Sequence, residues 1–112
     1  MKKKIKVGII GGGQLGMMLA KASKKLNIAP LIYSNTKDSP AAKVAKVYYG
    51  DFDDIKKIKK FINQVDIVTY EFENIPTNSL KIIEQLVPIF PPINALKITQ
   101  DRVKEKKFFN DN

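Results

Sequence analysis

The sequence predicts a small doubly wound α/β domain: a parallel sheet with helices on both faces. Three observations carry that prediction. Short β-branched runs alternate with helical patterns along the chain, a glycine turn follows the first run and opens the first helix, and no linker or internal repeat interrupts the series. A length of 112 residues leaves room for one core.

Residues 5–10 (IKVGII) are short, apolar and β-branched and stop at Gly11, Gly12 and Gly13, as a buried strand does. Leu15, Leu19, Ala22 and Leu26 then recur at helical spacing, with Lys21, Lys24 and Lys25 off that stripe. Residues 29–33 (APLIY) form a second strand, 34–40 a polar loop, 40–45 a short helix with proline in its first turn, and 47–49 a third strand. Asp53 or Asp54 caps the next helix, whose Ile55, Ile58, Phe61 and Ile62 face inward while Lys56, Lys57, Lys59 and Lys60 face water. Residues 65–70 (VDIVTY) are a fourth strand, and Pro76 and Thr77 open a helix with Leu80, Ile83 and Val87 on its buried side. Residues 87–90 (VPIF) make a weak fifth strand ahead of the Pro91-Pro92 break. From Ile93 the pattern is helical again, through Leu96, Thr99 and Val103 to Phe108.

Composition narrows the chemistry. Cysteine and histidine are both absent, which excludes disulfides, zinc–thiolate centres and imidazole bases and leaves carboxylates, amides, lysines and backbone groups. No apolar run approaches the roughly 20 residues of a membrane span. The basic start MKKK runs through Lys6 into glycines rather than into the apolar core of a secretory signal, so the expected location is the cytoplasm, with no membrane partner. Basic residues outnumber acidic ones by 20 to 11, yet Arg102 is the only arginine and the lysines are scattered. With 19 Lys, 15 Ile and 8 Asn, the net charge of +9 is that of an A/T-rich coding habit, and no nucleic-acid partner is expected.

Ligands of doubly wound sheets bind beyond the carboxyl ends of the strands, which selects residues 11–16, 34–38 and 71–74. Gly11, Gly13 and Gly16 satisfy G-x-G-x-x-G directly after a strand and at a helix start, where backbone N–H groups and the helix dipole favour an anion. Dinucleotide binding also requires an acid at the end of the second strand; here that strand ends in Ser34 and Asn35, and Asp38 lies in the loop. The glycines can equally serve tight turning and helix packing alone. Glu71 and Glu73 stand two residues apart and share one side of an extended backbone. Such a pair binds a sugar hydroxyl or an amine, holds a metal, moves a proton, or caps the following helix. Arg102 and Lys106, four apart on a helical pattern, reach one anion together or face solvent.

In this order, GGGQLG (11–16), Pro40-Ala41 with Ala45, YEFEN (70–74) and QDRxxEK (100–106) resemble the amino-terminal domain of the 5-(carboxyamino)imidazole ribonucleotide synthetases, members of the ATP-grasp superfamily. The resemblance runs from Val7 to Phe109. It implies a Rossmann-like pre-ATP-grasp domain over residues 1–112, with the central and carboxy-terminal ATP-grasp domains absent from this chain and no catalysis by the chain alone. The implied reaction is an ATP-dependent ligation in purine biosynthesis: bicarbonate is phosphorylated, and its carboxyl group passes to the exocyclic amine of 5-aminoimidazole ribonucleotide. ATP and magnesium are the implied cofactors, bound mainly by the other domains, and a full-length homodimer is implied. Gly13, Gln14, Leu15, Glu71 and Glu73 match substrate-contacting positions, and Arg102 and Lys106 match ATP-binding ones; no catalytic or metal-ligating residue is assigned to this domain. Two positions depart from the family pattern: Met17 replaces a frequent basic residue, and Ser34-Asn35 replaces a frequent acid. Two other classes compete: a free-standing Rossmann-type nucleotide-binding module, and a basic protein that binds polyanions.

Overall fold

The first strand, β1 (Lys6–Ile10), must satisfy apolar layers on both its faces, and its sequence does so. The computed structural model describes residues 5–70 and 75–91. Along these, β1 is followed by α1 (Gln14–Lys25), β2 (Ala29–Ser34), a 3₁₀ turn (Pro40–Lys43), β3 (Lys46–Tyr49), α2 (Ile55–Ile62), β4 (Ile67–Tyr70) and α3 (Thr77–Leu86). The strands form one sheet in the order β3-β2-β1-β4, every pair parallel. The chain steps from β1 to β2 to β3 in one direction and then returns across the sheet to β4, so the order reverses between β1 and β4.

Side chains alternate across the sheet and build two cores. Val7 and Ile9 of β1, Ile32 of β2 and Ile67 of β4 pack with Leu19 and Ala20 of α1 and Ala41 of the 3₁₀ turn. Ile10, Tyr33 and Val68 project to the other face and meet Ile58, Phe61 and Ile62 of α2 and Ile83 of α3. The predicted doubly wound α/β architecture is therefore present, with α1 and the 3₁₀ turn on one side and α2 and α3 on the other.

Local details depart from the sequence expectations for identifiable reasons. The buried stripe of α1 is Gly16, Leu19, Ala20 and Ser23, whereas Leu15 is 39% exposed and Ala22 and Leu26 are half-buried. Small residues face the sheet because they let the helix lie close to it, and a stripe drawn through the largest apolar side chains misses that. In α3 the buried position beside Ile83 belongs to Ser79, whose hydroxyl donates to the Phe52 carbonyl at 2.6 Å; Leu80 is half-buried. Ile55 is likewise only half-buried on α2. Of the two candidate caps, Asp54 fills the role and accepts from the Lys57 N–H at 3.2 Å. The fourth strand begins at Ile67 because Asp66 closes it off: its N–H donates to the Lys6 carbonyl and its carboxylate accepts the Lys6 N–H, both at 2.8 Å. The expected fifth strand is one parallel bridge between Val68 and Ile89, flanked by bonds from Val68 N–H to Pro88 and from Phe90 N–H to Val68. Pro88 and Pro91 lack the N–H groups that a longer ladder needs. The helix expected from Ile93 lies outside the described residues.

Two local devices hold the layers in register. Helix α1 ends in a Schellman motif: Asn27 takes the left-handed conformation (φ 60), its N–H bonds to Lys24 O at 3.1 Å, and the Ile28 N–H bonds to Ser23 O at 2.9 Å. Tyr33 stands between Phe52 and Phe61, with ring centroids 6.1 and 5.5 Å away, and donates its hydroxyl to the Asp51 carbonyl at 2.7 Å. Burial first, then the nearby carboxylates of Asp54, Asp51 and Asp53, push its phenol up from 10.0 to about 12.

Asn27→Gly is expected to leave stability unchanged or slightly raised, while Asn27→Val costs about 1–2 kcal/mol in urea unfolding, because a β-branched residue resists the left-handed region. Tyr33→Phe loses about 1 kcal/mol at neutral pH with the hydroxyl bond. The folded chain binds the Tyr33 proton more tightly than the unfolded chain, so the Tyr33 contribution is intact below pH 10.0 and declines as pH rises through about 12. Urea unfolding measured across that window shows this decline in the native chain and loses the Tyr33 component of it in Tyr33→Phe.

Candidate functional site

The carboxyl ends of β1 and β4 lie side by side at the reversal of strand order, with Ile10 paired to Tyr70 and, on its other side, to Tyr33. Past Ile10 the chain must leave the sheet at once. Gly11 does this with φ 122, a conformation open to glycine, while its N–H still closes the β-ladder onto the Tyr33 carbonyl at 2.8 Å. Gly13 is the extended N-cap of α1, and the first helical bond runs from Met17 N–H to Gly13 O at 3.0 Å. Gly13 brings no side chain to cap this terminus, and no acid stands in its first turn. Its partial positive charge therefore remains available to an anion, with the Gln14 and Leu15 amides ahead of the first helical bond. Gln14 and Leu15 are exposed and Gly13 is half-buried, so the structure brings these three predicted residues together at one helix start beside the β1–β4 junction.

The β2 side of the turn is filled by protein. The Ala41 N–H of the 3₁₀ turn donates to Gly12 O at 3.1 Å, and a Cβ on Gly12 would stand 2.7 Å from Ser39 Cβ and Oγ and 2.8 Å from Ser34 Oγ. Gly12 is therefore required by close approach. Ser34 is buried and accepts the Thr36 N–H at 3.2 Å, so the end of β2 presents an inward-turned hydroxyl where a dinucleotide site presents a carboxylate. Asp38 is exposed in the loop beyond.

Sequence reasoning overlooked two hydroxyls nearby. Ser39 Oγ, against Gly12, and Thr69 Oγ1, on the β4 residue paired with Ile9, are both buried without a hydrogen-bond partner among the described residues. The only sequence signal for them is a small polar residue at the end of an apolar run. Met17 is half-buried and packs on the α1-side core rather than standing free at the crevice. Glu71, Glu73, Arg102 and Lys106 lie outside the described residues; Glu71 follows Tyr70 directly in the chain. Among the described residues no three acidic side chains gather to hold a metal ion, and no helix is long and apolar enough to cross a membrane. Lys56, Lys57, Lys59 and Lys60 are all exposed on α2, the solvated face that the periodicity predicts.

Comparison with known proteins agrees with this geometry. Residues 2–100 match the family described as ribonucleotide synthetase preATP-grasp domain. An N5-carboxyaminoimidazole ribonucleotide synthase from Pseudomonas aeruginosa is 36% identical over 107 residues, covering 96% of this chain and 30% of its own length. The crystal structure of N5-carboxyaminoimidazole ribonucleotide synthetase from Thermus thermophilus superposes with a TM-score of 0.72 at 38% identity, over 94% of this chain and 29% of that one. The Aspergillus clavatus N5-carboxyaminoimidazole synthase, solved with ADP and 5-aminoimidazole ribonucleotide, gives a TM-score of 0.69 at 30% identity, over 96% of this chain and 30% of its own. The chain thus spans about 30% of the length of the curated relatives it matches. With its glycine turn at the β1–β4 reversal and this match over nearly its whole length, the chain belongs to the ribonucleotide synthetase pre-ATP-grasp domain family.

Proposed function

We propose that this chain is the ribonucleotide-holding domain of an ATP-dependent ligase that carboxylates 5-aminoimidazole ribonucleotide with bicarbonate in purine biosynthesis. The observation that carries the reading is the glycine-turned, acid-free start of α1 at the point where the strand order reverses. A phosphorylated sugar fits such a place: the backbone amides of Gln14 and Leu15 and the helix dipole attract its anionic groups, and Gly11 and Gly12 let the chain pass close by. The Gln14 side chain orients the ligand. Glu73, with Glu71 beside it in sequence, accepts hydrogen bonds from its amine or ribose hydroxyls. Arg102 and Lys106 serve the ATP side. The likeness to relatives solved with ATP, and with ADP together with 5-aminoimidazole ribonucleotide, supports these ligands.

In this reading ATP phosphorylates bicarbonate, and the activated carboxyl group is taken by the exocyclic amine of the ribonucleotide. The domain supplies position and charge complementarity for the acceptor and no catalytic side chain. Magnesium accompanies ATP and is held by parts of the enzyme outside the matched 30% of the relatives' length. The complete enzyme works as a cytoplasmic homodimer. The competing dinucleotide module is disfavoured by the inward-turned Ser34 and the 3₁₀ turn seated on Gly12.

Expressed at the full length of its relatives, the protein is expected to consume 5-aminoimidazole ribonucleotide only when both ATP and bicarbonate are present. A folded full-length protein without that turnover sinks the proposal. In the same protein Glu73→Gln and Gln14→Ala are each expected to raise the KM for the ribonucleotide by about tenfold or more, from lost hydrogen bonds to a polar ligand, and to leave the KM for ATP within about twofold. Equal effects on both substrates reject the roles assigned to these two side chains.

A further inference from the structure

Ser39 heads the 3₁₀ turn (Pro40–Lys43) as its N-cap, the place where a serine ordinarily gives its side-chain oxygen to an amide two or three residues on. Here no such bond forms: the Ala41 N–H goes to Gly12 O at 3.1 Å and the Ala42 N–H to the Ser39 carbonyl at 3.0 Å. The neighbouring hydroxyl, Ser34 Oγ, already accepts the Thr36 N–H at 3.2 Å and stands 3.3 Å from Thr36 Oγ1. Ser39 is 5% exposed, and its Oγ has no hydrogen-bond partner among the described residues. A buried hydroxyl without a partner lowers stability, and an alanine in its place carries no such cost.

The hydroxyl lies against the glycine turn instead. A Cβ on Gly12 would stand 2.7 Å from Ser39 Oγ, and Gly12 directly precedes Gly13, the N-cap of the 12-residue helix α1. That helix starts with free amides and without an acid, which is the electrostatic setting for an anion. Lys37 and Asp38, just before Ser39, are both exposed and oppose each other in charge, so the loop adds neither sign strongly. We propose that Ser39 is a phosphate-binding residue: its hydroxyl donates to a phosphate oxygen of a ligand seated at the α1 start, alongside the Gln14 and Leu15 amides. Within the ribonucleotide reading proposed above, on which this assignment rests, the 5′-phosphate of the acceptor lies over the glycine turn. Ser39 then favours a phosphorylated acceptor over the same acceptor without its phosphate.

In the 112-residue chain, inorganic phosphate added over the millimolar range is expected to shift the amide NMR resonances of Gln14 and Leu15, and Ser39→Ala to weaken that binding about tenfold. Urea unfolding of Ser39→Ala without phosphate is expected at the native midpoint or above it, since the hydroxyl removed had no partner to lose. Unmoved resonances in the native chain, equal phosphate affinity in the variant, or a lowered midpoint each overturn the proposal. In the full-length protein the same variant is expected to raise the KM for 5-aminoimidazole ribonucleotide about tenfold and to leave the KM for ATP within about twofold. Inhibition by 5-aminoimidazole ribonucleoside, which lacks the phosphate, is expected to be unchanged. An equal loss with ribonucleotide and ribonucleoside separates Ser39 from the phosphate and overturns the assignment. A full-length protein that turns over no ribonucleotide rejects the ligase reading instead, and the phosphate titration still decides for or against Ser39.

Discussion

Everything in this domain hangs on β1 serving two neighbours at once. A strand paired on both sides and covered on both faces has no polar side to offer. After Lys6, every residue of β1 is buried, with Val7 and Ile9 toward α1 and Ile10 toward α2. Burying an aliphatic side chain of this size contributes roughly 1.5–3 kcal/mol, so those three residues tie the two cores to one another through the sheet. Central placement of β1 also creates the crevice. The chain leaves β1 toward β2 on one face and comes back to β4 on the other, so the two connections diverge above the β1–β4 junction and leave its carboxyl end uncovered by either.

The same logic explains which parts of the fold were legible in the sequence. Strand–helix alternation, the glycine turn and the lysine face of α2 are periodic or local signals, and they place all four strands and three helices within the described residues. What escaped depends on distance of approach rather than hydrophobicity. Gly16, Ala20 and Ser23 share the contact stripe of α1 with Leu19 because small side chains let the helix sit close above the sheet. Phe52, in a loop between charged residues, is 7% exposed because Tyr33 and the α3 start close over it. Asn27 carried a signal for the left-handed residue after α1, but it is weaker than glycine and easily passed over. At the site, the glycine turn and Gln14 were legible, whereas Ser39 and Thr69 were not: Ser39 lies against Gly12 and Thr69 beside Ile9 of β1, and only the assembled fold brings them there.

Closeness and function meet at Gly12. The 3₁₀ turn seated against it fills the flank where a dinucleotide's ribose would lie, and it also buttresses the glycine turn from the β2 side. Under the function proposed above, a motif that in other folds cradles a pyrophosphate serves a smaller ligand between the start of α1 and the end of β4. That restriction is set by packing and not by any charged residue.

Charge supports the same division of labour. The dense lysine group of α2 lies on the face of the sheet opposite α1, and layers of packed secondary structure are about 10 Å apart. Screening at physiological ionic strength acts over about 8 Å, so those ammonium groups add little field at the α1 start. The net charge of +9 can draw an anionic ligand toward the molecule, but holding it falls to oriented backbone dipoles and a few polar side chains at the β1–β4 junction. An arginine fork would bind a phosphate more tightly than those dipoles do; the described residues contain none. Under the function proposed above, such a site orients a phosphorylated acceptor more than it retains it.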